Sequence, residues 1–379
     1  MFNFGRENTG ILPKWWRNID KEILFLLIFL LLLGLFFSFS STTSVMSEKM
    51  NKQTYFFFIK HLVFVSISLF VILGISIQEK NQLTKYLIFL FFISIFFLIL
   101  VPILGVEIKG SKRWLDLGIF PLFQPVELVK PLFIICVAKI ITLNDKHSIY
   151  KKYFFSFLVL LFIVFFLINQ PDLGQTLLIT LTWVTMIFVS GFNMLLLSIL
   201  GLIFLSIFTS MIFFFPDKFG YVFFRIKTFL DPKAGDNFQS QKALEAIKQG
   251  GLTGQGMGEG ILKDKVPEAH TDYIIAVVSE EFGALFVLFI VTMFLLIGYK
   301  VINKVFSSND EFLKIALVGL VSLLIIQTFI HLGVNIRLFP TTGMTLPYLS
   351  YGGSSLIGSS IIAGIILNFT RKDSTRYFK

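Results

Sequence analysis

Ten apolar runs divide this chain of 379 residues and restrict its fold more than any other feature. They lie at about 23–41, 56–77, 86–105, 121–143, 153–169, 173–191, 194–215, 272–299, 312–334 and 346–369. Each is near the length of about 20 residues with which an α-helix crosses a bilayer. Because 55% of the residues are hydrophobic, a soluble domain could not bury them all. We predict an all-α polytopic membrane protein, one integral membrane domain over 1–379 with about ten transmembrane helices.

The charge distribution orients the chain. A formal net charge of +10 would suggest nucleic acid in a soluble protein, but in a membrane protein basic residues gather in cytoplasmic loops. We therefore predict no nucleic-acid partner. Lys and Arg in the short loops concentrate on the side of the N-terminus, which places both termini in the cytoplasm. The long 216–271 loop between helices 7 and 8 is then extracytoplasmic.

This long loop ends in the segment PEAHTD, Pro267–Asp272. Glu268, His270 and Asp272 fall within five positions at a water–lipid boundary, where partial desolvation makes a carboxylate a better base. Asp272 also opens the eighth run, so helix capping is the structural alternative. Two further carboxylates, Glu280 and Glu281, lie just inside that run. The residues alone predict an acidic site at the outer face.

Six glycines between Gly250 and Gly260 precede this segment. They superficially resemble a phosphate-binding loop, but no buried strand precedes them and no Gly-Lys-Ser/Thr follows. We expect instead a backbone that turns tightly, or that closely approaches a bulky ligand or a neighbouring helix.

Charged residues also lie near the starts of the fourth and sixth runs. Lys112 and Arg113 are adjacent cations directly before Trp114, a combination that suits either a phosphate headgroup or an interfacial anchor, with neither favoured. Glu127 and Lys130 are three residues apart on one helical face, which favours a structural ion pair over a cavity-facing role. Asp172 follows a proline at a helix start, which favours a cap over catalysis.

Five motifs in this order resemble the SEDS family of cell-wall proteins: RWLDLG with FQPVELVKP, QPDLGQT, DPKAGDNFQ with GGLTGQGMGEG, PEAHTDYIIAVVSEEFG and PTTGMTLPYLSYGGSSL. Together they cover most of the chain. The PEAHTD form and the GMTLPYLSYGGSSL ending are more similar to the division branch than to the elongation branch. One departure is Thr342, where the division branch usually has lysine, and another is Val126 beside Glu127, where it often has serine.

The resemblance implies a ten-helix peptidoglycan glycosyltransferase of the bacterial inner membrane, placed at the division septum. It implies inverting polymerisation of lipid II, beside a class B penicillin-binding protein transpeptidase and other division proteins of the membrane. The family's essential aspartate falls on Asp272. The predicted site has Asp272 as catalytic base, Lys112, Arg113, Glu268, His270 and Arg337 as substrate-binding residues, and Glu127, Lys130, Asp172, Glu280 and Glu281 as supporting residues.

Several alternatives stay open at this point. No cofactor is certain and no metal ligand is assigned, although a divalent magnesium or manganese ion would suit a departing pyrophosphate. The chain could instead serve wall elongation, move lipid II across the membrane, or act as a non-catalytic scaffold. A transporter would favour internal repeats and broken helices around a midplane cavity, and the sequence has no such repeat.

Overall fold

The computed structural model describes residues 10–42, 56–108, 111–116, 118, 121–143, 148–214, 216–231, 237–262 and 265–372. Within these ranges the chain forms thirteen α-helices and one two-stranded hairpin. The helices are α1 (Ile11–Asn18), α2 (Lys21–Thr42), α3 (Phe56–Ile77), α4 (Lys80–Leu104), α5 (Pro125–Ile141), α6 (Ile149–Asn169), α7 (Leu173–Val189), α8 (Met194–Phe214), α9 (Pro216–Leu230), α10 (Phe238–Gly250), α11 (Ile274–Ser307), α12 (Glu311–Asn335) and α13 (Gly353–Phe369). The hairpin pairs β1 (Gly105–Ile108) with antiparallel β2 (Ser111–Leu115).

Each of the ten predicted spans corresponds to one of these helices, so the predicted fold class is confirmed. Six helices, α2, α3, α4, α6, α11 and α12, are long and apolar enough to cross a membrane. Shorter apolar helices cover Leu173–Val189, Met194–Phe204 and Gly353–Phe369. The tenth, α5, carries Glu127, Lys130 and Lys139. The protein is an integral membrane protein.

The boundaries differ from the predicted ones where polar chemistry or backbone geometry decides them. α5 begins at Pro125 because proline suits the first helical turn, where no amide donor is needed. α13 begins only at Gly353, so the preceding Ser350 and Tyr351 lie outside the helix. α11 continues to Ser307, and it breaks at Gly283, whose φ of 80° is non-helical.

The centre of the bundle is formed by α5, α12 and α13, whose side chains are largely buried. α13 packs against α3 and α5, while α12 packs against α7 and α11. The described side chains of α8 are mostly exposed, in keeping with a helix that faces lipid at the periphery.

The predicted long loop is structured rather than open. It contains α9 and α10, and α10 packs against α11. A Cβ at Gly250 would overlap the carbonyl of Ser279, and a Cβ at Gly254 would overlap that of Glu281. The close approach expected of the glycine series is thus confirmed, and the neighbour is a helix of the same chain.

The break at Gly283 explains why this contact exists. The break leaves backbone N–H and C=O groups of one helical turn without partners in the helix. Unpaired backbone groups at membrane depth are costly. The loop pairs them: Gln255 donates to the Glu280 carbonyl at 2.9 Å, Gly256 to the Glu281 carbonyl at 3.0 Å, and Ala284 to the Gly251 carbonyl at 3.0 Å. The glycine loop therefore completes the first part of α11.

Candidate functional site

A cavity of about 410 Å³ lies where the hairpin, α9, the PEAHTD segment and the start of α13 meet. Four of the predicted site residues line it: Arg113, Glu127, Glu268 and Asp272. Its other polar lining includes Gln124, Gln175, Arg225, Gln239, Thr271, Thr341, Thr342, Thr345, Tyr351, Ser354 and Ser355. Residues from distant parts of the chain thus share one concave surface, the usual form of a small-molecule site.

The PEAHTD segment is held by its own backbone and by the loop before α13. Glu268, at a φ of 56°, accepts hydrogen bonds from the amides of Thr271 and Tyr273 through its carbonyl. Ser350 Oγ donates to the Thr271 carbonyl at 2.7 Å. Asn335 at the end of α12 donates to the Asp272 carbonyl at 3.1 Å. These bonds position the half-buried Asp272 on the cavity wall.

The capping alternative for Asp272 is wrong. The N-cap of α11 is Tyr273, without a side-chain cap, and the helix begins at Ile274. The capping role favoured for Asp172 is confirmed, since its carboxylate accepts from the Gln175 amide at 3.4 Å. Asp172 is buried and is not part of the cavity lining.

Two adjacent cations, Lys112 and Arg113, have different surroundings. Arg113 faces the bundle: its Nε donates to the Gln170 carbonyl at 3.2 Å, and it also bonds to the Pro171 carbonyl. Lys112 is exposed and lies outside the cavity lining. Both stand on β2, and neighbouring side chains of a strand point to opposite faces. The interfacial-anchor alternative is not supported for Arg113 and Trp114, because both line the cavity.

The prediction from sequence missed Arg225, which brings a second guanidinium to the cavity from α9. Its Nη1 donates to the Thr341 carbonyl at 3.4 Å. Burial, and after it the guanidinium of Arg113, lower the pKa of Arg225. The only hint in the sequence is that α9 is amphipathic, with Arg225 among aromatic residues.

Arg337 and His270 lie beside the cavity and not on it. Arg337 lines a smaller neighbouring cavity of about 220 Å³, which shares Arg225 and Thr341 with the larger one. The His270 ring packs 4.9 Å from Phe57 and 5.8 Å from Tyr351, centroid to centroid. Their substrate-binding roles stay predictions.

The pairing favoured for Glu127 and Lys130 is confirmed, with Lys130 Nζ 2.9 Å from Glu127 Oε2. Both side chains are buried, and Lys130 also donates to Gln327 Oε1 at 3.2 Å. Only Glu127 reaches the cavity. The ion pair is therefore structural, and its carboxylate alone forms part of the cavity wall.

Glu280 and Glu281 hold the glycine loop and are absent from the cavity lining. Glu280 Oε1 accepts from the Leu262 amide at 2.7 Å, and Glu281 Oε1 from the Gly258 amide at 3.2 Å. Glu281 also accepts a hydrogen bond from Ser40 of α2. The two carboxylates thus join three parts of the chain, and their supporting role at the site stays a prediction.

No group of three or more metal-ligating side chains comes together in the part of the chain that the structure describes. Glu268 and Asp272 are the two carboxylates that the PEAHTD segment brings to the cavity. Magnesium is often bound by one or two carboxylates together with substrate phosphates. The residues would therefore fit a divalent cation only if the substrate completed its ligands.

Comparison with known proteins identifies the family. A family model for cell cycle proteins of the FtsW, RodA and SpoVE type matches residues 21–375. The chain belongs to this family. It is 32% identical over 374 residues to the probable peptidoglycan glycosyltransferase FtsW of Caulobacter vibrioides, covering 99% of this chain and 95% of that one. It is 33% identical over 366 residues to stage V sporulation protein E of Bacillus subtilis, covering 94% and 98%.

Solved structures show the same family fold. A chain from a peptidoglycan synthase complex that coordinates polymerization and crosslinking superposes with a TM-score of 0.75 at 24% identity, covering 95% of this chain and 99% of that one. The rod shape determining protein RodA of Thermus thermophilus gives a TM-score of 0.68 at 23% identity, covering 94% and 97%. The resemblance drawn from the motifs is therefore confirmed.

Proposed function

We propose that this chain is a peptidoglycan glycosyltransferase that polymerises lipid II at the outer face of the inner membrane during cell division. The observation that carries the proposal is the presence of Asp272, Arg113 and Arg225 on one cavity. Glycosyl transfer from a lipid diphosphate needs a base for the acceptor and cations for the leaving group. Relatives named as probable peptidoglycan glycosyltransferases support the same activity.

In the proposed reaction Asp272 takes the proton of the GlcNAc 4-hydroxyl of one lipid II molecule. The hydroxyl oxygen attacks C1 of MurNAc in a second molecule, and a glycosidic bond forms. The bond between C1 and the diphosphate oxygen breaks, and its electron pair leaves with undecaprenyl pyrophosphate. Because attack and departure occur on opposite faces of C1, configuration inverts without a covalent intermediate.

Arg113 and Arg225 hold the departing diphosphate, since guanidinium groups donate two parallel hydrogen bonds to phosphate oxygens. Arg113 is already tied to two backbone carbonyls, so it presents a fixed charge. Arg225 has one long hydrogen bond, to Thr341, and retains donors for a ligand. A magnesium or manganese ion bound by Asp272 or Glu268 would add positive charge at the diphosphate.

We further propose that the chain works with a class B penicillin-binding protein transpeptidase and other division proteins at the septum, with both termini cytoplasmic. The similarity to a chain from a synthase complex that coordinates polymerization and crosslinking supports such a partner. The loop 216–271, with α9 and α10, would then be the extracytoplasmic part that carries the active site.

The test is lipid II polymerisation by purified wild type and Asp272→Asn, each with and without the cognate transpeptidase. We expect a loss of at least about 100-fold in Asp272→Asn, the scale of a missing general base. Glu259→Gln is the matched control, because Glu259 is an exposed carboxylate of the same loop. Equal polymer from wild type and Asp272→Asn would move the base elsewhere, with Glu268 next. A wild type inactive even with its partner would favour the lipid II flippase or the scaffold.

A further inference from the structure

The floor of the cavity has a different chemistry from the wall that carries the two arginines. It is formed by Glu127 of α5, Gln175 of α7, and Ser354 and Ser355 of α13. All four are at least nine-tenths buried, with exposures of 3%, 3%, 5% and 8% respectively. Lys130, the nearest cation to Glu127, lies behind it and is not part of the lining. A phosphate here would meet Glu127 first, so the floor does not suit an anion.

Glu127 is held in one orientation by two neighbours. Its Oε2 lies 2.9 Å from Lys130 Nζ, and its Oε1 accepts from Gln175 Nε2 at 2.8 Å. Each carboxylate oxygen can accept a second hydrogen bond. The carboxylate is thus a fixed acceptor for a hydroxyl or an amide proton in the cavity.

Gln175 adds an acceptor without a partner. Because its Nε2 donates to Glu127, the amide cannot be flipped without placing two acceptors against each other. Its Oε1 is buried and has no hydrogen bond in the part of the chain that the structure describes. Buried amide oxygens are nearly always paired with protein or ordered water, so this acceptor is open to a donor group from the cavity.

Ser354 of α13 lines the same cavity as these two acceptors. Gly358 packs so closely on α5 that a Cβ would lie 2.5 Å from the Glu127 carbonyl. Ser354 is four residues earlier and hence on the same face of α13, one turn closer to the helix start. The neighbouring Ser355 hydroxyl is paired with Thr345, and Ser354 lines the cavity beside it.

We propose that Glu127, Gln175 and Ser354 form a subsite for a neutral sugar that carries hydroxyl and acetamido groups. The Glu127 carboxylate and the Gln175 amide oxygen accept hydrogen bonds from O–H or N–H groups of the sugar. The Ser354 hydroxyl can donate one to an acetamido carbonyl. The subsite rests on the proposed function and deepens it. The wall with Arg113 and Arg225 holds the diphosphate, and the buried floor binds the sugar.

The experiment compares two probes in Asp272→Asn protein, where turnover is blocked. One probe is a short-chain lipid II analogue, and the other is a short-chain polyprenyl pyrophosphate without sugar. We expect Ser354→Ala and Gln175→Met each to weaken binding of the sugar-bearing probe by about 5- to 10-fold, the scale of one lost hydrogen bond, and to leave the sugar-free probe unchanged. Ser360→Ala is the control, because Ser360 is buried on the same helix and bonds its own backbone at Leu356.

Equal weakening of both probes would show a structural role for these residues, and no weakening of either would show that the floor binds no sugar. Either result overturns the subsite. If wild type polymerises lipid II and neither variant discriminates between the probes, only the subsite fails. If the variants discriminate and wild type makes no polymer, the subsite stands and the proposed polymerase activity fails.

Discussion

Arg113 forms an ion pair with Asp172 at the N-terminus of α7, with its Nη1 3.7 Å from Oδ1 of the aspartate. The same aspartate caps α7 and accepts from Gln124 Nε2 at 3.3 Å. One buried carboxylate thus connects β2, the start of α5 and the start of α7. The arginine that faces the cavity is held by the residues that begin two central helices.

Replacing Arg113 by lysine should damage both stability and activity. A single ammonium cannot reach two carbonyls and a carboxylate together, so about 1–3 kcal/mol of stability should be lost. Thermal unfolding in detergent and lipid II polymerisation would measure the two effects. Lys112→Ala is the matched control, because Lys112 is exposed on the same strand. A loss of activity in Lys112→Ala as large as in the Arg113 variant would contradict the assignment of the cavity.

Arg225→Ala should reduce polymerisation about 10- to 100-fold, as expected for the loss of one charge-assisted contact to a diphosphate. The fold should be preserved, because the hydrogen bond from Arg225 to the Thr341 carbonyl is long, at 3.4 Å. Lys227→Ala, an exposed cation on the same helix, should keep wild-type activity. Arg337→Ala should have a smaller effect, since Arg337 reaches only the smaller cavity. If Arg337→Ala lost more polymerisation activity than Arg225→Ala, the diphosphate contact would be reassigned to Arg337.

Gly250→Ala should release the glycine loop from α11. The new Cβ would overlap the Ser279 backbone, which cannot move without breaking the helix, so we expect a loss of about 2 kcal/mol or more. Gly220→Ala on α9 is the control, because nothing lies within 4 Å of its Cβ. Alanine there should be neutral or stabilise the helix by about 0.5–1 kcal/mol. Limited proteolysis of the loop would report its release, and unchanged protection in Gly250→Ala would disprove the contact.

Lys130→Met should destabilise the bundle by about 3–5 kcal/mol, because it leaves the buried carboxylate of Glu127 without its cation. Adding Glu127→Gln should recover part of this loss, since an uncharged pair has no buried charge to neutralise. Chemical unfolding of the two single variants and the double variant would give the coupling. Additive losses would show that the ion pair contributes no coupling to stability.

Local spacing was sufficient for several predictions. The ten helices follow from the length of the apolar runs, the Asp172 cap from its place after Pro171, and the Glu127–Lys130 pair from an i, i+3 spacing. The close approach of the glycine series followed from the residue type alone. In the cap and the ion pair the interacting groups are neighbours in the chain. In the glycine series the missing side chain is what permits the close contact.

The sequence by itself therefore determined the membrane fold, the family and the residues at the PEAHTD segment. Only the tertiary structure decided which of them share a cavity. Asp272, Arg113 and Arg225 come from segments far apart in the chain, and their meeting depends on how α9, β2 and α11 pack. Arg113 lines the cavity and Lys112 does not because both stand on β2, a strand that the apolar pattern of the sequence does not predict. Long-range packing sets such contacts, and residue spacing along the chain does not encode it.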